Sequence, residues 1–350
     1  MAFSFQINNR LIGPGKPAYI IAELSANHNQ DYDTAVALVH AAKDAGADAV
    51  KLQTYTPDTI TIDCDNDYFR IQKGTIWEGR NLYELYGEAY TPWEWQPELL
   101  KIAKSIDLDL FSSPFDSTAV EFLEKIGVPA YKVASFELVD IPLIRTIARC
   151  QKPVIMSTGM ATYEEINEAV HAVRDEGNDE IALLKCTSAY PAPMSEINLR
   201  TICHLQDTFG VPVGLSDHTL GIVVPVAAVS YGACIIEKHF TLSRSTPGPD
   251  STFSLEPAEF RIMVDSVREA EAAAGSVTYD ITNNEEASRM FRRSLFNVND
   301  LRKGETITRD HVRSIRPGHG LPPKYLDKVL GKKANRDLKR GTPLTWDYFE

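Results

Sequence analysis

The stretch GLSDHTLGIVVPVAAVSYGACIIEKHFT, residues 214–241, reads as strand, helix and strand in immediate succession. The first strand ends at Asp217 and His218, and the second ends at Lys238 and His239. Because a helical crossover makes its two strands parallel, both histidines are expected at one edge of one sheet. Two convergent imidazoles suit a divalent first-row metal such as Mn, Fe, Co or Zn. The alternative is that each histidine caps a strand or bonds a nearby carbonyl, and the stretch alone leaves both interpretations open.

The pattern of this stretch recurs along the chain. Eight short apolar segments alternate with helical patterns, at residues 18–24, 49–55, 108–115, 130–135, 153–159, 181–188, 211–217 and 233–240. Eight such repeats predict an α/β fold, a TIM (β/α)8 barrel whose catalytic face lies at the carboxyl ends of the strands. An open doubly wound sheet is the alternative, disfavoured because no GxGxxG or P-loop follows any of the segments.

Three helices have clear limits in the sequence. Residues 33–45 and 257–274 are amphipathic and end at glycines, and residues 162–176 open with a TxxE capping pattern. The connection over residues 56–90 is too long for a simple turn and carries a helical pattern only near its end. Long excursions on the catalytic face of a barrel usually form lids or substrate walls.

The barrel pattern ends near residue 275. We predict a TIM-barrel catalytic domain over residues 1–275, a linker over 276–287 and a small β-rich domain over 288–350. Within the last, NDLRKGETIT (299–308) is echoed by NRDLKRGTPLT (335–345), which predicts two similar hairpins.

Composition limits the functional classes. The net charge of −12 argues against a nucleic-acid partner and an anionic membrane. Residues 287–350 carry 15 Lys and Arg against 7 Asp and Glu, so a basic tail follows an acidic body against which it could dock. We expect no signal peptide and no membrane span. Five scattered cysteines without CxxC spacing favour free buried thiols and a cytoplasmic location.

Polar side chains gather at the predicted strand ends. They are Glu23, Lys51, Gln53, Ser112, Ser113, Lys132, Ser135, Glu137, Ser157, Lys185, Thr187, Ser188 and Tyr190. A single buried lysine is more often a surface residue with a buried stem. Several lysines and hydroxyls around one mouth suit a phosphate, and two histidines add a metal that could polarise a carbonyl. The residues therefore predict a metal-dependent barrel enzyme for a phosphorylated anion and a carbonyl compound.

At these positions the sequence resembles a known family. The segments AELSANHN, KLQTYTPD, FSSPFD, YKVASFE, STGMAT, KCTSAYPAP, GLSDHT and EKHFT resemble, in order, the motifs of the sialic acid synthase (N-acetylneuraminate synthase-like) family. The tail from FRRSLF to NRDLKRG is similar to its antifreeze-protein-like (SAF) domain. AELSANHN, LYELYGEAYTPWEW and YKVASFE are most similar to the pseudaminic acid synthase branch.

The resemblance implies a reaction. Phosphoenolpyruvate would condense with an open-chain N-acetylated amino sugar, 2,4-diacetamido-2,4,6-trideoxy-altrose for this branch, giving pseudaminic acid and phosphate with C–O cleavage. N-acetylneuraminate or legionaminate synthesis is the alternative within the family. His218 and His239 match the ligands of a divalent metal, typically Mn2+, with Co2+ or Mg2+ as alternatives.

The resemblance also implies roles for individual residues. Glu23, Glu137 and the two histidines are the implied catalytic residues. The positions that match the phosphate and carboxylate site are Lys51, Ser113, Lys132, Ser135, Ser157, Ser188 and Ser216. Those that match sugar contacts or proton transfer are Glu23, Gln53, Glu137, Tyr190 and Asp250. Arg316, in RPGHG, matches an arginine that the SAF domain delivers into the partner subunit's barrel, which implies a domain-swapped homodimer.

Two other functional classes fit parts of the sequence. A Schiff-base aldolase would use Lys132 or Lys185 and no metal. A non-catalytic sugar-binding protein would use the tail for recognition. Both leave the histidine pair without a role.

Overall fold

The computed structural model describes residues 3–350 of the chain. Contacts divide these residues into two compact units, one extending to Gly275 and the other beginning at Ser276.

The first unit is a closed barrel of eight parallel strands, preceded by a two-stranded antiparallel sheet of β1 (Phe5–Ile7) and β2 (Arg10–Ile12). The barrel strands are β3 (Tyr19–Glu23), β4 (Ala49–Thr54), β5 (Asp109–Pro114), β6 (Tyr131–Val133), β7 (Val154–Ser157), β8 (Ile181–Cys186), β9 (Val213–Asp217) and β10 (Ile235–His239). Each lies within or close to a predicted segment, and β10 closes the barrel by pairing with β3, where His239 is opposite Glu23. The predicted TIM barrel is confirmed.

Helices lie between the barrel strands and after the last of them. They are α1 (Tyr32–Asp44), α2 (Pro57–Ile60), α3 (Leu82–Ala89), α4 (Gln96–Ser105), α5 (Ser117–Ile126), α6 (Ile141–Ala148), α7 (Tyr163–Asp175), α8 (Thr201–Phe209), α9 (Val223–Ser230) and α10 (Pro257–Ala274). At the start of α7, Thr162 accepts a hydrogen bond from the Glu165 backbone while the Glu165 side chain accepts one from the Thr162 backbone. This capping box satisfies two otherwise unpaired N–H groups, as the sequence predicted.

The core of the first unit fills the space inside the barrel and between its strands and helices. Apolar residues of α10 face the strands, and Phe260 is fully buried with its ring 5.2 Å from that of Phe240, just after β10. Burying a phenylalanine contributes about 1.5–3 kcal/mol, so this contact helps to hold α10 against the barrel. The excursion over residues 56–90 carries only α2, a short 3-10 turn and α3.

The second unit contains α11 (Asn283–Glu286), α12 (Leu326–Val329) and a two-stranded antiparallel sheet of β11 (Ser294–Asn297) and β12 (Val312–Ile315). Its core is small and includes Leu295, Val312 and Leu344. The prediction of two similar hairpins is wrong. The echoed segments instead pair with each other, since Leu301 and Leu338 exchange backbone hydrogen bonds of 2.9 and 2.8 Å. Sequence similarity could not distinguish a hairpin from a pair of similar turns.

No helix within residues 3–350 is long and apolar enough to cross a membrane. All five cysteines are free, and Cys186 and Cys234 are buried. Cys64 and Cys150 are half-buried and Cys203 is exposed, so the expectation of buried thiols is correct for two of the five cysteines.

Candidate active site

His218 and His239 meet at the barrel mouth, the end formed by the carboxyl ends of the strands. Their ring centroids are 5.4 Å apart. His218 Nδ1 is 3.0 Å from the Thr187 carbonyl oxygen; a bond donated there leaves Nε2 as a free acceptor. Within the described chain, the buried Nδ1 of His239 has no hydrogen-bond partner. Burial, followed by the nearby His218, holds the pKa of His239 well below its usual value, so the ring is neutral, as a metal ligand must be.

Aromatic rings border the histidine pair on one side. The Tyr190 ring centroid lies 4.3 Å from that of His218, and the Phe253 centroid lies 4.9 Å from that of His239. Trp77 comes from the long excursion, with its ring 5.6 Å from Tyr190. Its indole N–H donates to the Pro249 carbonyl at 3.1 Å, which directs the polar edge away from the neighbouring aromatic ring. The excursion thus contributes to an aromatic wall beside the histidines.

Two lysines and two glutamates form a buried group inside the barrel, here called the lysine–glutamate cluster: Glu23, Lys51, Lys132 and Glu237. Lys51 Nζ lies 2.5 Å from Glu23 and 3.8 Å from Glu237, and Lys132 Nζ lies 3.9 Å from Glu237. Both lysines lie on barrel strands, at β4 and β6, and are almost fully buried. Their ammonium groups are therefore held close together in a low-dielectric site.

Burial and charge act in opposite directions on the cluster's carboxyl groups. Burial raises the pKa of Glu23, although Lys51 opposes the shift. Burial would also raise the pKa of Glu237, but Lys132 and Lys51 outweigh it and hold that pKa below its usual value. Burial lowers the pKa of Lys132. Glu237 is therefore the carboxyl group of the cluster whose ionised form both lysines favour over the effect of burial.

The predicted hydroxyls surround these charges. Ser113 accepts from Lys51 at 3.3 Å, Ser157 accepts from Lys132 at 2.6 Å, and Ser216 donates to Glu237 at 3.1 Å. The three hydroxyls come from three strands of the barrel, β5, β7 and β9. The cations can therefore bind an anion together with several hydroxyl donors.

Ser135 and Ser188 lie farther out around Gly159. The Gly159 N–H donates to Ser135 Oγ at 3.2 Å. A methyl group placed on Gly159 would lie 2.2 Å from Ser188 Oγ and 2.7 Å from Ser135 Oγ. Any side chain at Gly159 would therefore fill the space that these two hydroxyls line.

Glu137 follows β6 in a 3-10 turn. Burial raises the pKa of its carboxyl to about 7. Across residues 3–350, no group hydrogen-bonds its buried Oε2 atom. A carboxyl that titrates near neutrality can either donate or accept a proton.

Gln53 and Asp250 line another part of the mouth. Gln53 Nε2 donates to Glu23 at 3.0 Å and to Ser25 Oγ at 2.9 Å. Ser25 in turn donates to Asp250. Glu23, Gln53 and Asp250 are thus linked through one hydrogen-bond chain.

Arg316 lies in the second unit, after β12, with an exposed side chain. Its action in a partner barrel remains a prediction.

Four residues that sequence reasoning did not assign belong to this site. Glu237 could have been found by strand alternation, because it shares a face with His239 two residues later. Cys186, beside His218 at 3.9 Å, also faces the interior; burial opposes ionisation, but the His218 ring lowers the thiol pKa to about 7. Gly159 and Trp77 gave no comparable signal, since their roles depend on approaches between distant segments.

The geometry defines a class of protein: a TIM-barrel enzyme with buried cations for an anionic substrate beside two imidazoles that suit a metal. The profile of the NeuB family matches residues 38–279, and that of the SAF domain matches residues 292–350. The chain belongs to the NeuB family and carries a C-terminal SAF domain.

Individual relatives cover nearly the whole chain. Pseudaminic acid synthase of Helicobacter pylori is 47% identical over 336 residues, spanning 96% of this chain and 98% of that protein. N,N'-diacetyllegionaminic acid synthase of Legionella pneumophila is 38% identical, spanning 98% and 99%. The crystal structure of N-acetylneuraminic acid synthetase from Leptospira borgpetersenii, in complex with citrate, matches with a TM-score of 0.74 at 30% identity and covers 82% of this chain and 95% of that one.

Proposed function

We propose that this chain is a transferase that makes pseudaminic acid from phosphoenolpyruvate and 2,4-diacetamido-2,4,6-trideoxy-altrose. The observation that carries the proposal is the arrangement of Lys51 and Lys132 below the paired histidines at one barrel mouth. The similarity to pseudaminic acid synthase, at 47% identity over nearly the full length, supports this sugar over the legionaminate and neuraminate precursors.

Phosphoenolpyruvate binds, in this proposal, at the lysine–glutamate cluster. Lys51 and Lys132 neutralise its phosphate and carboxylate, and the hydroxyls of Ser113, Ser157 and Ser216 complete the site. Ser135 and Ser188 bind from the rim around Gly159. The hydrogen bonds and ion pairs of the cluster hold both ammonium groups in place before the anion binds, which is what a preorganised site requires.

The sugar occupies the side of the mouth lined by Gln53, Tyr190 and Asp250. The reaction joins C3 of the enolpyruvate to the aldehyde carbon, and the aldehyde oxygen takes a proton. Water adds its oxygen at C2 and loses its protons, and the C2–O bond to phosphate breaks. Glu23 and Glu137 are the side chains placed to move these protons, since burial raises the pKa of both.

His218 and His239 fit a divalent metal. The Nε2 atom of His218 and the buried Nδ1 of His239, which has no hydrogen-bond partner among residues 3–350, would supply two imidazole ligands. We assign the ion as Mn2+, with Co2+ or Mg2+ as substitutes. Such an ion supplies the Lewis acidity that polarises and orients the sugar aldehyde.

The assembly is proposed to be a cytoplasmic, domain-swapped homodimer in which Arg316 completes the partner's site. The charge difference between the acidic body and the basic tail supports docking between them. Nucleic acids and membranes have no place in this function.

The test is a phosphate-release assay with phosphoenolpyruvate and three sugars: the diacetamido-trideoxy-altrose, the legionaminate precursor and N-acetylmannosamine. The altrose sugar should give the highest kcat/KM. Phosphoenolpyruvate labelled with 18O at the bridging oxygen should deliver the label to phosphate, as C–O cleavage requires. Preference for another sugar would reassign the branch, and absence of phosphate release with all three would refute the proposal.

A further inference from the structure

Two charged side chains beside the histidines lie outside the lysine–glutamate cluster. Asp217 immediately precedes His218, Lys238 immediately precedes His239, and both side chains are fully buried with 0% exposure. Side chains alternate between the two faces of a strand. Because Glu237 and His239 face the barrel interior, Lys238 faces the surrounding helices. Its charge therefore cannot contact a substrate at the mouth.

Lys238 reaches across to the neighbouring strand end and holds it at two points. Its Nζ atom donates to Asp217 Oδ2 at 2.5 Å and also to the Thr219 carbonyl. Thr219 closes the arrangement, because its N–H donates to Asp217 Oδ1 and its hydroxyl to Asp217 Oδ2, each at 3.0 Å. The residues on either side of His218 are thus tied to the residue before His239. We call this arrangement the Asp217–Thr219–Lys238 clamp.

The location of the clamp is informative because a buried ion pair is a weak source of stability. Removing two charges from water costs about as much as their attraction returns, and apolar side chains of similar volume often stabilise a fold equally well. What such a pair does supply is a fixed geometry. Here the fixed atoms lie within one residue of both imidazoles.

The histidines themselves have few contacts of their own that set their separation. His218 Nδ1 contacts the Thr187 carbonyl at 3.0 Å and Cys186 Sγ at 3.9 Å, both on the β8 side, while His239 Nδ1 has no hydrogen-bond partner among the described residues. The distance between the rings therefore depends on where the ends of β9 and β10 lie. The clamp joins these two ends directly.

We propose that Asp217 and Lys238 are positioning residues that hold the two imidazoles at the separation a single metal ion requires. The inference rests on the metal site proposed above. Groups that orient metal ligands from outside typically account for a 10- to 100-fold difference in metal affinity. The clamp should therefore affect metal binding more than it affects folding.

The test measures binding of Mn2+ alone to the full-length chain, by electron paramagnetic resonance of the free ion, together with thermal unfolding. Lys238→Met removes the cation, and the double variant Asp217→Asn with Lys238→Met removes both charges and avoids an unpaired buried carboxylate. Both should bind Mn2+ about 10- to 100-fold more weakly than the unmodified chain. Should neither fold, Thr219→Val removes one hydroxyl contact from the clamp and should weaken binding in the same direction.

The matched control is Asp48→Asn at the opposite end of the barrel. Asp48 is also buried and also joins separate elements, since it accepts from the Ile20 N–H of β3 at 2.8 Å and pairs with Arg268 of α10 at 3.3 Å. The Asp48→Asn variant should have a lower melting temperature than the unmodified chain and the same Kd for Mn2+. Unchanged Mn2+ affinity in the folded clamp variants, or an equal loss in Asp48→Asn, would overturn the positioning role. If the unmodified chain itself fails to bind Mn2+, the metal site proposed above is what fails.

Discussion

The imidazole of His218 lies 5.4 Å from that of His239, measured between ring centroids, although helix α9 and strand β10 lie between the two residues in the chain. Ring separations of this size allow one small cation to contact a nitrogen of each, because metal–nitrogen distances are about 2.0–2.1 Å. The same pair adjoins Tyr190 and Phe253. The pair is thus placed between the buried lysines and an aromatic wall.

Replacing either histidine should abolish the metal-dependent reaction. His218→Ala and His239→Ala each remove one of two protein ligands, so we expect phosphate release to fall about a thousandfold or more. Phosphate release and Mn2+ binding should be measured on the same preparations. Turnover near that of the unmodified chain in either variant, or activity that survives a chelator, would refute the ligand role.

Lys132 and Lys185 allow a matched comparison of two strand lysines. Lys132 lies in the lysine–glutamate cluster, whereas Lys185 bonds the Cys186 carbonyl at 2.7 Å and Thr187 Oγ1 at 3.1 Å. Lys132→Met should raise the KM for phosphoenolpyruvate about 10- to 100-fold, as the loss of a charge-assisted hydrogen bond predicts. Lys185→Met should leave it nearly unchanged. Borohydride trapping of pyruvate on Lys132 would instead favour a Schiff-base aldolase.

Glu137 should make stability depend on pH near neutrality. Burial raises its pKa to about 7 from an ordinary value of 4.5, so between these values the folded chain keeps a proton that the unfolded chain has lost. Stability therefore falls as pH rises from 4.5 to 7, by up to about 3 kcal/mol. Glu137→Gln should not lose stability over this pH range, so its melting temperature should rise relative to that of the unmodified chain as pH increases. Parallel melting curves from pH 5 to 8 would contradict the assignment.

Trp77 should influence the sugar and not phosphoenolpyruvate. Its ring adjoins Tyr190 in the aromatic wall, on the side of the mouth where the sugar is proposed to bind. Trp77→Ala removes apolar surface suited to the methyl groups of a 6-deoxy diacetamido sugar, and we expect about a tenfold higher sugar KM. Trp77→Phe should retain most of the affinity. An equal rise in the KM for phosphoenolpyruvate would indicate general disruption of the barrel mouth.

Arg316 should act across subunits. Arg316→Ala should weaken use of the sugar while the melting transition of the barrel is unchanged. Mixing it with a barrel-inactive His239→Ala chain should restore part of the activity, because one heterodimer site would then be complete. Failure of mixed dimers to recover activity would indicate that Arg316 acts within its own subunit.

The candidate site was predictable where chemistry follows strand position. Lys51 and Lys132 lie within β4 and β6, the two histidines lie at the ends of β9 and β10, and the parallel barrel brings these positions together whatever the intervening helices contain. Glu237 could also have been predicted, because strand alternation places it on the same face of β10 as His239. The second unit was less predictable, because Leu301 pairs with Leu338 and not within its own repeat.

The sequence by itself determined the eight strands, the helix caps and the edge of the barrel at which the polar residues lie. These follow from apolar periodicity and local hydrogen bonding, which act over a few residues. Only the tertiary structure decided which charges pair. Lys51 meets both Glu23 and Glu237, Trp77 reaches Tyr190, and Lys238 spans to Asp217. Such contacts depend on barrel closure and register, which place residues far apart in the chain within a few ångströms and remove them from water.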